Sequence, residues 1–174
     1  MHAAVALIAL YCTWRSKAWS AWERCHSTML YMVSGNLLYF VLTSRYELWA
    51  FEPDFPIYPV LNEMFYTLIV FPCTALLFLH HFPERRMGRT KRYVKWIAIY
   101  AAVELLFAMT GRIVYDHGWN WYWSFAFDCM MFPMLRLHYI RAGYAYAVSA
   151  VIIVILLLWF KVPLQNVMTM DFQS

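Results

Sequence analysis

The sequence predicts an all-α fold, a polytopic bundle of transmembrane helices, and three observations lead to this prediction. Apolar residues make up 63% of the 174 residues and charged residues only 14%, whereas about 25% of a soluble domain is charged. The mean hydropathy is +0.50. The apolar residues form long runs, and the basic residues gather in alternate connections between them. We therefore expect hydrocarbon, rather than water, to surround most of this chain.

Six apolar runs are candidate membrane spans. Five of them have about the 20 residues that a bilayer core requires, but the first is short and would need snorkelling side chains or a thinned bilayer. Six spans are predicted, five are the alternative, and the chain from 1 to 174 is expected to form one transmembrane domain. Pro72 and Pro133 are expected to kink the third and fifth spans. The runs are residues 3–14, 27–44, 57–82, 93–115, 120–138 and 142–160.

The distribution of positive charge predicts the orientation. Eleven of the fourteen Lys and Arg residues fall in the first, third and fifth connections, and three fall toward the other side. Cytoplasmic connections are enriched in Lys and Arg, so the basic connections are predicted inside and both termini outside. The three exceptions are Arg45, Arg112 and Lys161.

The net charge of +4 does not indicate a nucleic-acid partner. The basic residues lie at the predicted membrane edges rather than along one polar face, so membrane lipids are the expected partners. One cluster either binds lipid headgroups or only determines topology. It comprises Arg85, Arg86, Arg89, Lys91 and Arg92.

Two carboxyls are predicted near the middle of the membrane, and they are the first candidates for a functional centre. Counting away from the short turn at Gly118, the charged residues of the fourth and fifth spans come at successive depths about 6 Å apart, in the order Arg112, Asp128, Glu104, Arg136. We expect the two arginines to be counter-ions and at least one carboxyl to retain its proton. Three roles are open for these carboxyls: they form hydrogen bonds between helices, they form a ligand or proton site, or one of them is a catalytic acid.

Three further polar residues lie within predicted spans. Asn36 follows the small residues Ser34 and Gly35, where another helix can approach, so it either packs against that helix or contributes to the candidate ligand site. Asn62 and Glu63 lie near the outer end of the third span. They either line a vestibule or form an interfacial pair satisfied by headgroups.

No metal site or cofactor is predicted. Four histidines gather near the inner face without metal-ligand spacing, and we expect them to anchor helix ends. The cysteines are isolated, and we predict no disulfide. The sequence contains no phosphate-binding loop, nucleophile elbow or His-Glu-x-x-His pair, which argues against soluble nucleotide chemistry. The histidines are His26, His80, His81 and His138, and the cysteines are Cys12, Cys25, Cys73 and Cys129.

Several segments carry a resemblance that covers about residues 22–163. The more specific ones are Tyr-x-His-Gly-Trp at 115–119 and Met-Phe-Pro-x-x-Arg-x-His at 131–138. The chain resembles a family of small uncharacterised multipass membrane proteins from endospore-forming Gram-positive bacteria. The resemblance implies the cytoplasmic membrane of a bacterium, and it implies no activity and no functional residues.

The leading hypothesis is an integral membrane protein that binds a small amphiphilic or lipid-like ligand in a cavity between spans two to five, with Glu104 and Asp128 as polar contacts. A proton-coupled transporter, an integral membrane enzyme acting on an isoprenoid-like or acyl substrate, and a non-enzymatic subunit of a membrane assembly are the alternatives. The sequence has no recognisable catalytic signature, so an enzyme is not favoured. Neither the ligand nor the oligomeric state can be predicted.

Overall fold

The computed structural model describes residues 1–52 and 58–163. The chain is mostly helical, which confirms the all-α prediction at the level of secondary structure. The first of the predicted third-span residues, Ile57, lies outside the described residues. The helices are α1 (His2–Arg15), α2 (Trp22–Thr43), α3 (Pro59–Phe65), α4 (Phe71–Leu79), α5 (Arg86–Met109), α6 (Trp121–Ile140) and α7 (Ala142–Trp159).

The third predicted span is a continuous helix with an irregular centre. A π-helical turn, Tyr66–Val70, joins α3 to α4, and Pro72 is the second residue of α4. Proline has no N–H to donate to the carbonyl four residues earlier, and π turns are a common way for a helix to absorb such a defect. By contrast, α6 continues through Pro133 without an assigned break.

The fourth predicted span ends earlier than expected, so the predicted boundary at Tyr115 is wrong. Helix α5 ends at Met109, and Gly111 adopts a φ of 66°. The amide of Gly111 donates to the carbonyl of Ala108, and that of Arg112 donates to the carbonyl of Phe107. These two bonds form a Schellman motif, which satisfies the last carbonyls of a helix and stops it.

Beyond this stop the chain forms a short strand that the sequence analysis did not predict. Strand β2 (Ile113–Tyr115) pairs antiparallel with β1 (Trp49–Phe51), and Ala50 lies opposite Val114. The pairing joins the connection after α2 to the connection after α5. Both connections carry few basic residues and belong to the predicted outer side.

The largest hydrophobic cluster is formed where α2, α4 and α6 meet. Aromatic side chains of α5, such as Trp96 and Tyr100, pack against it from one side, and α7 packs against α6. Helices α2, α4 and α6 thus share an apolar core near the predicted inner half. Its buried residues are Ala18, Ala21, Cys25, Met29, Met32, Ala75, Leu76, Phe78, Leu79, Phe132 and Leu135.

Two stretches are long and apolar enough to cross a membrane by length and composition, among the described residues. They are Val60–Leu79, which includes the π turn, and Ala142–Trp159. Helix α1 has 14 residues, fewer than the about 20 that a bilayer core requires.

Candidate functional site

The two predicted mid-membrane carboxyls lie close together on the packed helices α5 and α6. The Tyr115 hydroxyl donates a 2.6 Å hydrogen bond to Oε1 of Glu104. The hydroxyl of Ser124, which accepts a 2.8 Å hydrogen bond from Nε1 of Trp119, also interacts with that carboxyl. Asp128 is buried, with 5% of its surface exposed, and interacts electrostatically with Glu104. The arrangement places two acids in one poorly solvated environment.

Within the described residues, this acid pair forms no ion pair with a basic side chain. The Oδ2 atom of Asp128 is buried and makes no hydrogen bond within residues 1–52 and 58–163. A buried carboxylate without a cation or a set of donors is costly, so a proton or a bound cationic group would stabilise this pair.

The two arginines predicted as counter-ions of the carboxyls make other contacts in the structure. Arg136 lies over the ring of Phe82, with 4.4 Å from Cζ to the ring centroid, and also faces the ring of Tyr139. It is therefore held by cation–π contacts, and the predicted pairing of Arg136 with the carboxyls is corrected. Arg112 lies beyond the end of α5, where its carbonyl accepts a hydrogen bond from the amide of Glu52. Its role as a counter-ion stays a prediction.

Sequence reasoning missed the hydroxyl groups around the acid pair. Tyr115 was placed at the end of a helix, whereas the early stop of α5 lets its side chain return to Glu104. Ser124 could have been found, since it lies four residues before Asp128 and therefore on the same face of α6. The Tyr100 hydroxyl donates to Thr74 of α4 at 2.8 Å and lies near enough to Asp128 to interact electrostatically. The acid pair is thus bordered by three hydroxyl side chains.

The remaining polar candidates occupy two different environments. Asn36 donates a 2.8 Å hydrogen bond to Thr67 of the π turn, which is the interhelical packing role weighed for it. Asn62 is fully buried, and neither polar atom of its side chain has a partner in the described residues. The headgroup interpretation of Asn62 is therefore wrong. Glu63 is half-buried and interacts with the backbone of Phe51.

The basic cluster at the start of α5 divides into two groups. Arg92 donates to the carbonyls of Leu77 and His81, at 3.3 and 3.1 Å, and so satisfies the end of α4. A cation at a helix C-terminus also interacts favourably with the negative end of the helix dipole. Four members remain exposed, and one of them, Arg89, contacts a backbone carbonyl at 3.4 Å. The exposed residues are Arg85, Arg86, Arg89 and Lys91.

One histidine does not have the interfacial role that was predicted for it. His138 of α6 is buried, and its Nδ1 forms a 3.0 Å hydrogen bond with Oγ1 of Thr28 on α2. Its ring stacks on Tyr31 at a centroid distance of 4.3 Å. His138 therefore joins two core helices instead of anchoring a helix end. Among the described residues, no three His, Cys, Asp or Glu side chains are grouped as metal ligands.

An apolar groove of about 350 Å³ lies between α1, α2 and the third predicted span. Pockets for small ligands begin at about 300 Å³ and are mostly apolar. The sequence analysis did not predict this groove, although the spacing of Trp19, Trp22 and His26 places their side chains close together on one helical face. The groove is lined by Leu10, Trp19, Trp22, His26, Met29, Leu30, Val33, Leu68, Ile69, Pro72 and Cys73.

Comparison of the chain with models of protein families, with curated proteins and with solved structures finds no match.

Proposed function

We propose that this chain is an integral protein of a bacterial cytoplasmic membrane, with six spans, that binds an amphiphilic, lipid-like ligand in the apolar groove. The six spans correspond to α1, α2, the helix from α3 to α4, α5, α6 and α7. The binding activity is non-enzymatic. The groove carries this proposal, and the exposure of apolar helix faces supports the membrane setting.

Helix α7 is the part of the chain least suited to water. Of its eighteen residues, only Ala145 is buried, while Val151, Val154 and Leu158 are among those more than half exposed. A helix at the centre of a soluble protein is covered by its neighbours, but this one presents apolar side chains on nearly every side. An exposed apolar surface of this kind is stable when hydrocarbon covers it.

The groove suits a flexible hydrocarbon chain. Its wall combines apolar side chains of three helices with the π turn and Pro72, where the helix backbone is irregular. Irregular helical turns of this type recur at functional sites. Neither Glu104 nor Asp128 lines the groove, so the ligand site proposed here differs from the carboxyl-containing pocket expected from the sequence.

The proposal is tested by the lipids that remain bound through purification. We expect the purified protein to retain an amphiphile enriched over the bulk membrane extract, as measured by mass spectrometry of its organic extract. Leu30→Trp fills the groove, and we expect it to lower that enrichment at least fivefold. Leu158→Trp makes the same change on an exposed face of α7 and should retain the ligand. Equal lipid profiles in all three proteins would contradict the proposal.

A second candidate function, proton coupling, is favoured by the acid pair. A buried carboxyl and a half-buried one, without a basic partner among the described residues, form a site that gains or loses a proton when the pair is exposed to either face. In proteoliposomes with a pH-sensitive dye inside, the wild type would then dissipate an imposed pH gradient, and Asp128→Asn would slow that flux to the rate of empty vesicles. Equal rates for wild type and empty vesicles would exclude uncoupled proton conduction as this activity.

A further inference from the structure

We propose that the ligand of the groove is an uncharged amphiphile of the quinone class, with a flat ring that bears carbonyl oxygens and a hydrocarbon tail. The ring lies against Trp19, Trp22 and His26, and the tail lies along the other lining residues. This inference rests on the proposed function, because it names the chemical class of the amphiphile that the groove binds. Four observations on the groove support it.

The residues of α2 that line the groove form one stripe, and their character changes along it. They lie at positions i, i+4, i+7, i+8 and i+11, which is the spacing of a single helical face. Trp22 and His26 come first, and the apolar, non-aromatic residues Met29, Leu30 and Val33 follow. At 1.5 Å per residue, the stripe is about 16 Å long. The groove therefore offers an aromatic end and an aliphatic end to one elongated molecule.

The aromatic end consists of three neighbouring rings that remain partly uncovered. The rings of Trp19 and Trp22 lie 5.6 Å apart, and the ring of His26 lies 5.2 Å from that of Trp22. Trp19 and Trp22 keep 42% and 41% of their surface exposed. Aromatic rings favour offset-stacked or edge-to-face contacts with other rings. A flat ring in the ligand therefore gains contacts here that a single hydroxyl group does not.

The ring nitrogens at the aromatic end are available to a ligand. Within residues 1–52 and 58–163, those of Trp19, Trp22 and His26 make no hydrogen bond. The indole nitrogen of tryptophan can only donate, and a neutral imidazole has one N–H group to donate. A ring that carries carbonyl oxygens, as a quinone does, accepts hydrogen bonds from such donors. The polar groups of the groove thus match acceptors on a flat ring.

The lining offers no side chain of fixed charge to the ligand. None of its eleven described residues is Lys, Arg, Asp or Glu. The basic residues of the connections and the acid pair of α5 and α6 lie outside this lining. A charged group within the membrane is costly when it has no counter-charge. The groove therefore favours an uncharged head over a carboxylate, a phosphodiester or an alkyl ammonium.

Native mass spectrometry of the full chain in detergent tests the inference, with a short-chain menaquinone and the prenyl alcohol of the same tail as probes. We expect the wild type to retain the menaquinone at least about fivefold better than the alcohol. Trp22→Leu should reduce this preference to near one, whereas Trp14→Leu, which removes an exposed tryptophan outside the groove, should preserve it. His26→Phe keeps a ring but removes its nitrogens, and it should lower the preference at least about twofold. Gel filtration establishes that each variant is folded before the probe is added.

The outcomes separate this inference from the proposed function. If Trp22→Leu and Trp14→Leu change the preference equally, the aromatic end does not hold the ring and the inference is wrong. Stronger retention of dioleoyl phosphatidylglycerol than of the menaquinone would also contradict it. If Leu30→Trp lowers retention of both probes but the wild type does not distinguish them, the groove binds amphiphiles and only the quinone assignment fails. If Leu30→Trp changes the retention of neither probe, both proposals fail.

Discussion

The hydrogen bond from Tyr115 to Glu104 is the clearest single contact at the acid pair. If this bond is removed, the half-buried carboxyl of Glu104 loses a donor that water cannot easily replace. We expect Tyr115→Phe to lower the free energy of unfolding by about 1–3 kcal/mol, the usual cost of leaving a buried polar group unsatisfied. Chemical or thermal unfolding in detergent measures this change.

Tyr122 provides the matched control for that substitution. Its side chain is 76% exposed, and its hydroxyl has no partner among the described residues. Tyr122→Phe removes the same atom and should change the unfolding free energy by less than about 0.5 kcal/mol. Equal effects of the two substitutions would show that the bond to Glu104 contributes nothing to stability.

Position along the sequence is enough to propose Glu104 and Asp128 as candidates, because a carboxyl at mid-membrane depth is costly wherever it points. It was not sufficient to select Tyr115 or Ser124. Their importance depends on where α5 stops and on which side chains return toward the acids. The predicted role of Arg136 failed for a related reason, since equal depth does not imply contact when aromatic rings on neighbouring elements offer another partner.

At the scale of elements, the end of α5 depends on one glycine. Gly111 has a φ of 66°, and a Cβ added there would meet no atom within 4 Å. The cost of a side chain is therefore one of backbone conformation alone, about 1 kcal/mol. We expect Gly111→Ala to destabilise the protein by about this amount in thermal unfolding.

Gly35 makes this expectation specific. It lies within α2, its φ is not positive, and an added Cβ would also meet nothing within 4 Å. Alanine favours a helix over glycine by up to about 1 kcal/mol, so Gly35→Ala should be neutral or stabilising. If Gly111→Ala and Gly35→Ala change the unfolding free energy in the same direction, the Schellman motif does not determine the stability of this region.

The π turn is tied to α2 by the bond between Asn36 and Thr67. Hydrogen bonds between membrane helices contribute on average about 0.6 kcal/mol and at most about 1.7 in double-mutant cycles. We expect a coupling energy in this range from Asn36→Leu, Thr67→Val and the double variant. A coupling energy of zero would mean that the bond does not hold the π turn in place.

For the whole molecule, the sequence predicted the succession of helices well. Each of the six apolar runs contains helix in the described residues, because apolar runs of this length favour helices in any environment poor in water. The strand pair and the groove could not be predicted in this way. Both arise between segments far apart in the chain, which hydropathy along the sequence does not report: Ala50 pairs with Val114, and Leu30 and Leu68 line the same groove.

The orientation of the proposed six spans gives a test at the same scale. The rule that basic connections stay in the cytoplasm places Arg86 inside and Glu47 outside. Both side chains are exposed in connections or at a helix start. We therefore expect a membrane-impermeant maleimide to label Glu47→Cys in intact cells, and to label Arg86→Cys only after the membrane is opened.

The parent chain sets the background for this labelling, because its own cysteines are shielded in different ways. Cys25 and Cys73 are buried within the protein, while Cys12 and Cys129 are exposed on α1 and α6, where the proposed bilayer covers them. Labelling of Arg86→Cys, but not of Glu47→Cys, in intact cells would reverse the proposed orientation. Labelling of both positions in intact cells would place residues 47 and 86 on the same side of the membrane. The helix from α3 to α4, which lies between them, would then not be a membrane span.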